Sequence, residues 1–369
     1  RATHMIKTMH QADAEVTVTG LVDRNPDKAL GRLKDAGMST DGVTILSDPG
    51  QIVRRREEFD GIIIGTRCNL HTPMAVAVAD ARLPLFLEKP VSITPQQLQE
   101  LADAYRGREE DVLVSFPLRL TPLVQESLAI IRSGRLGVIN QIQAFNNVPY
   151  GDAYFFEWYR NFQETGGLWL QKATHDVDYI NLLAGSTPVS VAAMISRQVY
   201  DNPQAEQDIG KIVDKSDYVD CPAIHQDAGS ALIMYDNGLH AVYTQNFVTR
   251  NAAARRGAIV TGHAATLEFD WYTNKIRVAD HLRKREDVIT IDANDDGHGG
   301  GDGLLARNFI DMMKHQAKAQ SSLHDGLLSA TMCLAARQSA NTHAFEPIAV
   351  PGRPAPHTGP RARESSDAR

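Results

Sequence analysis

The chain has 369 residues, 43% of them hydrophobic and 22% charged, with a formal net charge of −7. That length predicts two or three domains, and that hydrophobic content excludes wholesale disorder. A mildly acidic chain without basic blocks excludes a nucleic-acid binder working through phosphate contacts. No apolar run reaches the about 18 residues that a membrane span needs.

Arg1 to Ile6 reads as the first turns of a helix. Residues 15–22 (EVTVTGLV) are β-branched and predict a strand ending at Asp23; Asn25-Pro26 then opens a helix to about Ala36, with Gly37 beyond it. Strands over 43–46, 59–65, 84–87 and 112–116 alternate with helices after 46, over 71–82 and over 95–105. Such alternation with short links predicts parallel βαβ units. The pattern changes after about residue 120. A helix over 123–133 closes at Gly134, a strand covers 139–147, and a helix over 174–183 stops at Gly185. Strand-like runs without helices between them follow at 189–199, 228–235, 240–248, 258–260, 266–270, 275–278 and 287–291, with Asp236-Asn237-Gly238 as a hairpin turn. These predict an antiparallel sheet. Residues 203–220 read as a polar loop, 304–318 and 323–341 as helices, and the Pro-, Arg- and Ser-rich end as a disordered tail.

The expected fold is α/β: an N-terminal Rossmann-type parallel sheet, then an α+β domain with a large open antiparallel sheet. The expected domains are a dinucleotide-binding unit at 1–120, a substrate and oligomerisation unit at 121–350, and the tail at 351–369. Cys68, Cys221 and Cys333 form no CxxC pair and predict free thiols. No secretion signal is visible, so the expected compartment is the cytoplasm. No HExxH, EF-hand or other metal-ligand spacing occurs, so no metal is expected.

Several residues carry candidate chemistry. Asp23 ends a strand where an acid accepts hydrogen bonds from an adenosine ribose, or alternatively caps the Pro26 helix. Arg24 beside it suits a 2′-phosphate, so the cofactor is NAD or NADP, with the acid favouring NAD. No GxGxxG is present; the glycines at 299–301 lie far downstream. Glu88-Lys89-Pro90 follows a strand and falls at the carboxyl end of the parallel sheet, where ligands bind. A Lys89 ammonium there polarises a substrate hydroxyl, and His175 near neutrality takes its proton. Gln171, four residues before His175, shares its face if the helix has begun. Trp158, Arg160 and Asn161 combine an aromatic face with donors, which suits a polyol. His298 sits in a polar turn within reach of substrate, and Asp302 reads as the N-cap of the following helix.

The runs TRCNLH (Thr66 to His71), Glu88-Lys89-Pro90, Gly166-Gly167 with Gln171-Lys172-x-x-His175-Asp176-x-Asp178, and His298 with the three glycines and Asp302 resemble the Gfo/Idh/MocA family of NAD(P)-dependent sugar and inositol oxidoreductases. The resemblance covers about residues 1 to 350. It implies a cis peptide before Pro90, a homodimer or homotetramer assembled through the open sheet, and a strand plus glycine loop ahead of Arg1. It implies Lys89 as the catalytic lysine and His175 as the acid/base. Gln171 stands where many members have a catalytic Asp, and an amide cannot exchange a proton or pair with the Lys89 charge. Lys172 fits a Gln/Glu-Lys-x-x-His variant, in which His175 works alone or with Lys172; by its spacing, Asp178, three residues after His175, either orients it or is an exposed helix acid. Thr66 and His71 fall beside the nicotinamide ribose, with Glu88 and Lys89 also on the cofactor, while Arg67 and Cys68 replace the usual Pro-Asn. Arg119 falls on the substrate side. The implied reaction is hydride transfer between NAD(P) and a secondary hydroxyl or carbonyl of a sugar, sugar derivative or cyclitol. NAD-dependent glycoside cleavage on the same fold, and a non-catalytic sugar- or dinucleotide-binding regulatory module, stay open.

Overall fold

The computed structural model describes residues 1–210, 221, 224–292 and 298–352. Helix α1 (Ala2–Ala12) is followed by β1 (Gly20–Leu21), α2 (Pro26–Asp35), β2 (Thr44–Ile45), α3 (Gly50–Arg54), β3 (Ile62–Ile64), α4 (His71–Val78), β4 (Leu85–Leu87), α5 (Pro95–Ala104) and β5 (Val112–Val114). The helix starts follow the local signals. Asn25 accepts from the Lys28 N–H ahead of Pro26, and Thr94 accepts from the Gln97 N–H ahead of Pro95. All five strands pair in parallel, as two sheets, β2–β1 and β3–β4–β5. The strand expected over 15–22 is confined to Gly20–Leu21, because β2 offers it only Thr44 and Ile45 as partners.

Alternation along β3, β4 and β5 sends side chains to two cores. Ile62, Ile64, Leu85, Leu87, Val112 and Val114 join Ala75 and Val78 of α4 and Leu98 and Leu101 of α5. Phe86 and Leu113 turn the other way, onto Met5 and Met9 of α1 and onto Leu305 and Phe309, which come from far downstream. Burial on both faces is why these strands read as unbroken apolar runs.

The second half holds α6 (Pro122–Arg132), β6 (Ile139–Asn147), α7 (Asp152–Phe156), α8 (Phe162–Thr165), α9 (Thr174–Ala184), β7 (Pro188–Ser196), α10 (Pro203–Gly210), β8 (Ala228–Tyr235), β9 (His240–Asn246), β10 (Arg255–Gly262), β11 (Ala265–Asp270), β12 (Lys275–Asp280), β13 (Glu286–Thr290), α11 (Gly301–Met313), α12 (Leu323–Thr342) and β14 (Glu346–Pro347). Its sheet has nine strands in the order β13-β12-β11-β10-β6-β9-β8-β7-β14. The expected antiparallel sheet is in fact mixed, since β6 pairs with β9 in parallel. The reason is topological. The consecutive strands β9 and β10 run in opposite directions, and β6 is inserted between them, so it must run parallel to one.

Two further expectations change. Residues 203–210 form α10, with the Asn202 side chain accepting from the Gln204 and Ala205 N–H groups, so only part of the expected loop remains. Residues 211–220 and 353–369, where the rest of that loop and most of the expected tail fall, lie outside the described residues. The expected boundary near residue 120 is crossed by α11, which packs against α1 and the parallel strands and so completes the first unit. Gly301 makes this possible, because a side chain there would meet the Pro117 carbonyl at 2.1 Å. Among the described residues no helix is long and apolar enough to cross a membrane.

Phe309 is 1% exposed and packs edge-to-face on Phe86 at 5.6 Å between ring centroids. Phe309→Ala removes the contact that ties α11 to β4. It is expected to cost about 3–5 kcal/mol, read as a lower urea midpoint with an unchanged slope.

Candidate active site

Lys89 leaves β4 at its carboxyl end, and the Lys89–Pro90 bond is cis, as the resemblance implies. Its ammonium crosses to the second half of the chain and donates to the Gln171 carbonyl at 2.7 Å. Burial pushes Lys89 down to about 8, with Lys172 and Arg256 working the same way and Cys68 and Glu88 against. Gln171 lies in a π-helical turn, Trp169–Ala173, that leads directly into α9. Such turns recur at functional sites. The helix has therefore begun before Gln171, but the Gln171 side chain does not face a substrate. Its amide nitrogen donates to Cys68 Sγ at 2.9 Å and to the Thr165 carbonyl at 3.2 Å. Where an aspartate would pair with Lys89 through its side chain, this chain uses the main-chain oxygen of the same residue.

His175 is 6% exposed, packs edge-to-face on Phe116, and stands 5.8 Å from the His298 ring. Its Nδ1 is buried without a hydrogen-bond partner. Burial first, then Lys89, Arg256, His298 and Lys172, push it well below the ordinary histidine range, so the imidazole is neutral. Lys172, 5% exposed, donates to the Tyr150 hydroxyl and lies 4.4 Å from the Tyr150 ring centre. His298 stands beside this group, with Nδ1 3.2 Å from Asp302. Asp302 itself is not an N-cap. Gly300 takes that position at φ 87°, and the Asp302 carboxylate, 1% exposed, pairs with Arg1, His4 and His298.

Asp176, fully buried, sets the orientation of α9. One oxygen accepts from Asn146 of β6 at 2.8 Å and from Tyr243 of β9 at 2.7 Å; the other accepts from Arg256 of β10 at 2.8 Å. Asp178 does not orient His175. It takes a two-pronged grip from Arg119, whose third nitrogen reaches the Gln320 carbonyl at 2.8 Å and Asp325 at 3.1 Å. Arg119 is thus a buried tie between α9 and α12 rather than a substrate contact.

Other expected contacts are also occupied by protein. The Trp158 ring is covered by the Arg67 guanidinium at 3.6 Å and stacked on Tyr159 at 3.9 Å. Arg160 donates to the Phe155 carbonyl at 3.1 Å and to that of Cys221. Asn161 accepts from the Gln163 N–H and caps α8. His71 is buried with Nδ1 2.7 Å from the Pro90 carbonyl and Nε2 3.1 Å from that of Thr66, so it braces the two strand ends instead of facing a ribose. Burial pushes it down to about 4.

The dinucleotide side is more open. Asp23 and Arg24 are exposed just beyond β1, with Asp23 accepting from the Asn25 N–H at 2.7 Å. Thr66 is exposed at the end of β3. The first turn of α1 lies against the same strand ends. Arg1 is 3.3 Å from Glu88, and a side chain on Gly65 would meet Ala2 at 2.6 Å. An exposed acid just beyond the carboxyl end of a parallel strand fits the ribose of a dinucleotide. Among the described residues no three His, Cys, Asp or Glu side chains gather as a metal site. The residues that sequence reasoning missed are Tyr150, Asp176 and Arg256. Asp176 stands in the run that carries the family resemblance but was given no role, and Arg256 carried a signal because it alternates with Ala258 and Val260 on the buried face of a strand.

A family model described as an oxidoreductase family with an NAD-binding Rossmann fold matches residues 2–116, and one described as the GFO/IDH/MocA C-terminal domain matches residues 124–268. The rhizopine catabolism protein MocA of Rhizobium meliloti is 24% identical over 175 residues, covering 47% of this chain and 51% of that protein. The inositol 2-dehydrogenase of Rhizobium meliloti is 23% identical over 186 residues, covering 50% and 52%. The chain thus spans about half the length of the curated relatives it matches. A solved levoglucosan dehydrogenase, in complex with NADH and levoglucosan, superposes with a TM-score of 0.77 at 19% identity, over 94% of this chain and 96% of that one. With both halves matched in order, and the fold shared end to end, the chain belongs to the Gfo/Idh/MocA family.

Proposed function

We propose that this protein is an oxidoreductase that moves a hydride between NAD(P) and a secondary hydroxyl or carbonyl of a sugar, sugar derivative or cyclitol. The observation that carries this reading is the Lys89 ammonium, fixed on the Gln171 carbonyl at the strand ends and facing the same turn as His175. The relatives named for inositol and levoglucosan support the substrate class. Bound there, the dinucleotide supplies the hydride acceptor or donor, and exposed Asp23 favours NAD. Lys89 polarises the hydroxyl and steadies the negative charge that grows on its oxygen. Neutral His175 accepts the hydrogen bond of that hydroxyl.

We further propose that two copies associate through the open sheet face. Met194, Leu232 and Met234 are exposed there at 77%, 48% and 49% on neighbouring strands. Ala192, Leu232, Val242 and Ile259 continue an apolar row across β7, β8, β9 and β10, interrupted by Gln143. Patches of this kind on soluble domains mark association surfaces.

Incubation of the full-length protein with NAD or NADP and a polyol panel is expected to form reduced cofactor with at least one member. Lys89→Met is expected to lose about 10²–10⁴-fold in kcat; equal activity would refute the role. Because the ammonium is the working form and is lost near pH 8, kcat/KM is expected to fall as pH rises through about 8. By light scattering the protein is expected to be dimeric or larger, and Leu232→Glu to shift it toward the monomer; a monomeric wild type would refute the interface.

A further inference from the structure

His175 is a poor resting place for a proton. It is buried among Lys89, Arg256, His298 and Lys172, and every one of them opposes its protonation. Lys172 has one hydrogen-bond partner among the described residues, the Tyr150 hydroxyl. Its ammonium is enclosed, lying 5.9 Å from the Tyr154 ring as well as against Tyr150. Tyr150 has no other hydrogen-bond partner among the described residues, and the residue as a whole is about half exposed. The phenolic oxygen therefore accepts from the lysine while its own proton is free to move outward. Lys172 belongs to the turn that carries Gln171 and leads into α9, three residues before His175, so its partner Tyr150 stands beside the same group.

Resting on the reading above, we infer that Tyr150 is a further catalytic residue, the acid/base that exchanges the substrate hydroxyl proton, with Lys172 as its positioning and polarising partner. In the oxidative direction the hydroxyl O–H breaks, and its proton, which His175 accepts but does not keep, passes to the Tyr150 phenolate oxygen. The carbinol C–H pair leaves as hydride to NAD(P)+, and the C=O bond forms. The substrate is oxidised by two electrons, and the phenol then releases its proton to water, to which Tyr150 is partly open.

The electrostatics agree. Burial works to push the Tyr150 phenol up, but Lys172 and Arg256 outweigh it and hold the phenol below the ordinary tyrosine range; Asp176 opposes them. Tyr154 and Tyr272 also face it. Tyr105, Tyr154, Tyr159, Tyr179, Tyr200, Tyr235, Tyr243 and Tyr272 are all pushed the other way, burial being the leading cause in each. Tyr150 is the one described tyrosine drawn down.

The test has two arms. Absorbance at 295 nm, followed through alkaline titration without cofactor, is expected to show a tyrosine ionising below the rest. That step should vanish in Tyr150→Phe and move up in Lys172→Met. Turnover of a polyol by Tyr150→Phe is expected to fall about 10²-fold or more in kcat, with NADH affinity unchanged. A missing low step in the wild type, its survival in Tyr150→Phe, or wild-type kcat in Tyr150→Phe overturns the inference while leaving the oxidoreductase reading intact. A wild type that turns over no polyol sinks both.

Discussion

The Asp176 carboxylate is the constraint on which the candidate site depends. It carries no solvent exposure, and it is satisfied only by reaching three strands at once through Asn146, Tyr243 and Arg256. A buried carboxylate with one partner removed is costly, about 3–5 kcal/mol for a broken buried pair. The rotation of α9 about its axis is therefore tightly specified. That rotation decides which side of the helix His175 presents and where the preceding turn puts Gln171 and Lys172. The Arg119–Asp178 pair holds the same helix from the side of α12, so α9 is tied to both its neighbours.

The second consequence concerns Lys89. A lysine at a strand end is ordinarily solvated and mobile. Here its ammonium is aimed by a carbonyl oxygen that the π turn leaves available, and the Gln171 amide is drawn away to Cys68 and Thr165. Side-chain identity at position 171 then matters less for charge than for packing. The loop with Arg67 and Cys68 contributes from the other side. Arg67 covers Trp158 and pairs with Glu164 at 3.5 Å, so the two halves of the chain are joined across the site by aromatic and ionic contacts.

Much of the element order was legible. Val112–Val114, Leu85–Leu87 and Ile62–Ile64 read as doubly buried strands because both faces meet helices, and Ile139–Asn147 and Ala228–Tyr235 match their expected spans. Lys89, His175, Lys172 and His298 were also legible as members of one group. Trp158, Arg160, Asn161, Arg119 and His71 were less so. Each has the side chain of a ligand contact, yet each has its donors or ring face occupied by another part of the chain. Local sequence shows what a side chain offers, not what has already taken it.

The sequence by itself determined the parallel βαβ order, the helix starts at Asn25 and Thr94, and the chemistry-bearing residues at the ends of β3 and β4, because these follow from nearest-neighbour geometry and alternation. Only the tertiary structure decided the parallel pairing of β6 with β9, the return of α11 to the first unit, and the contacts of Asp176 and Tyr150. Those depend on pairings across long stretches of chain, where a carboxylate or a phenol is placed by partners from distant strands and helices that no local pattern identifies.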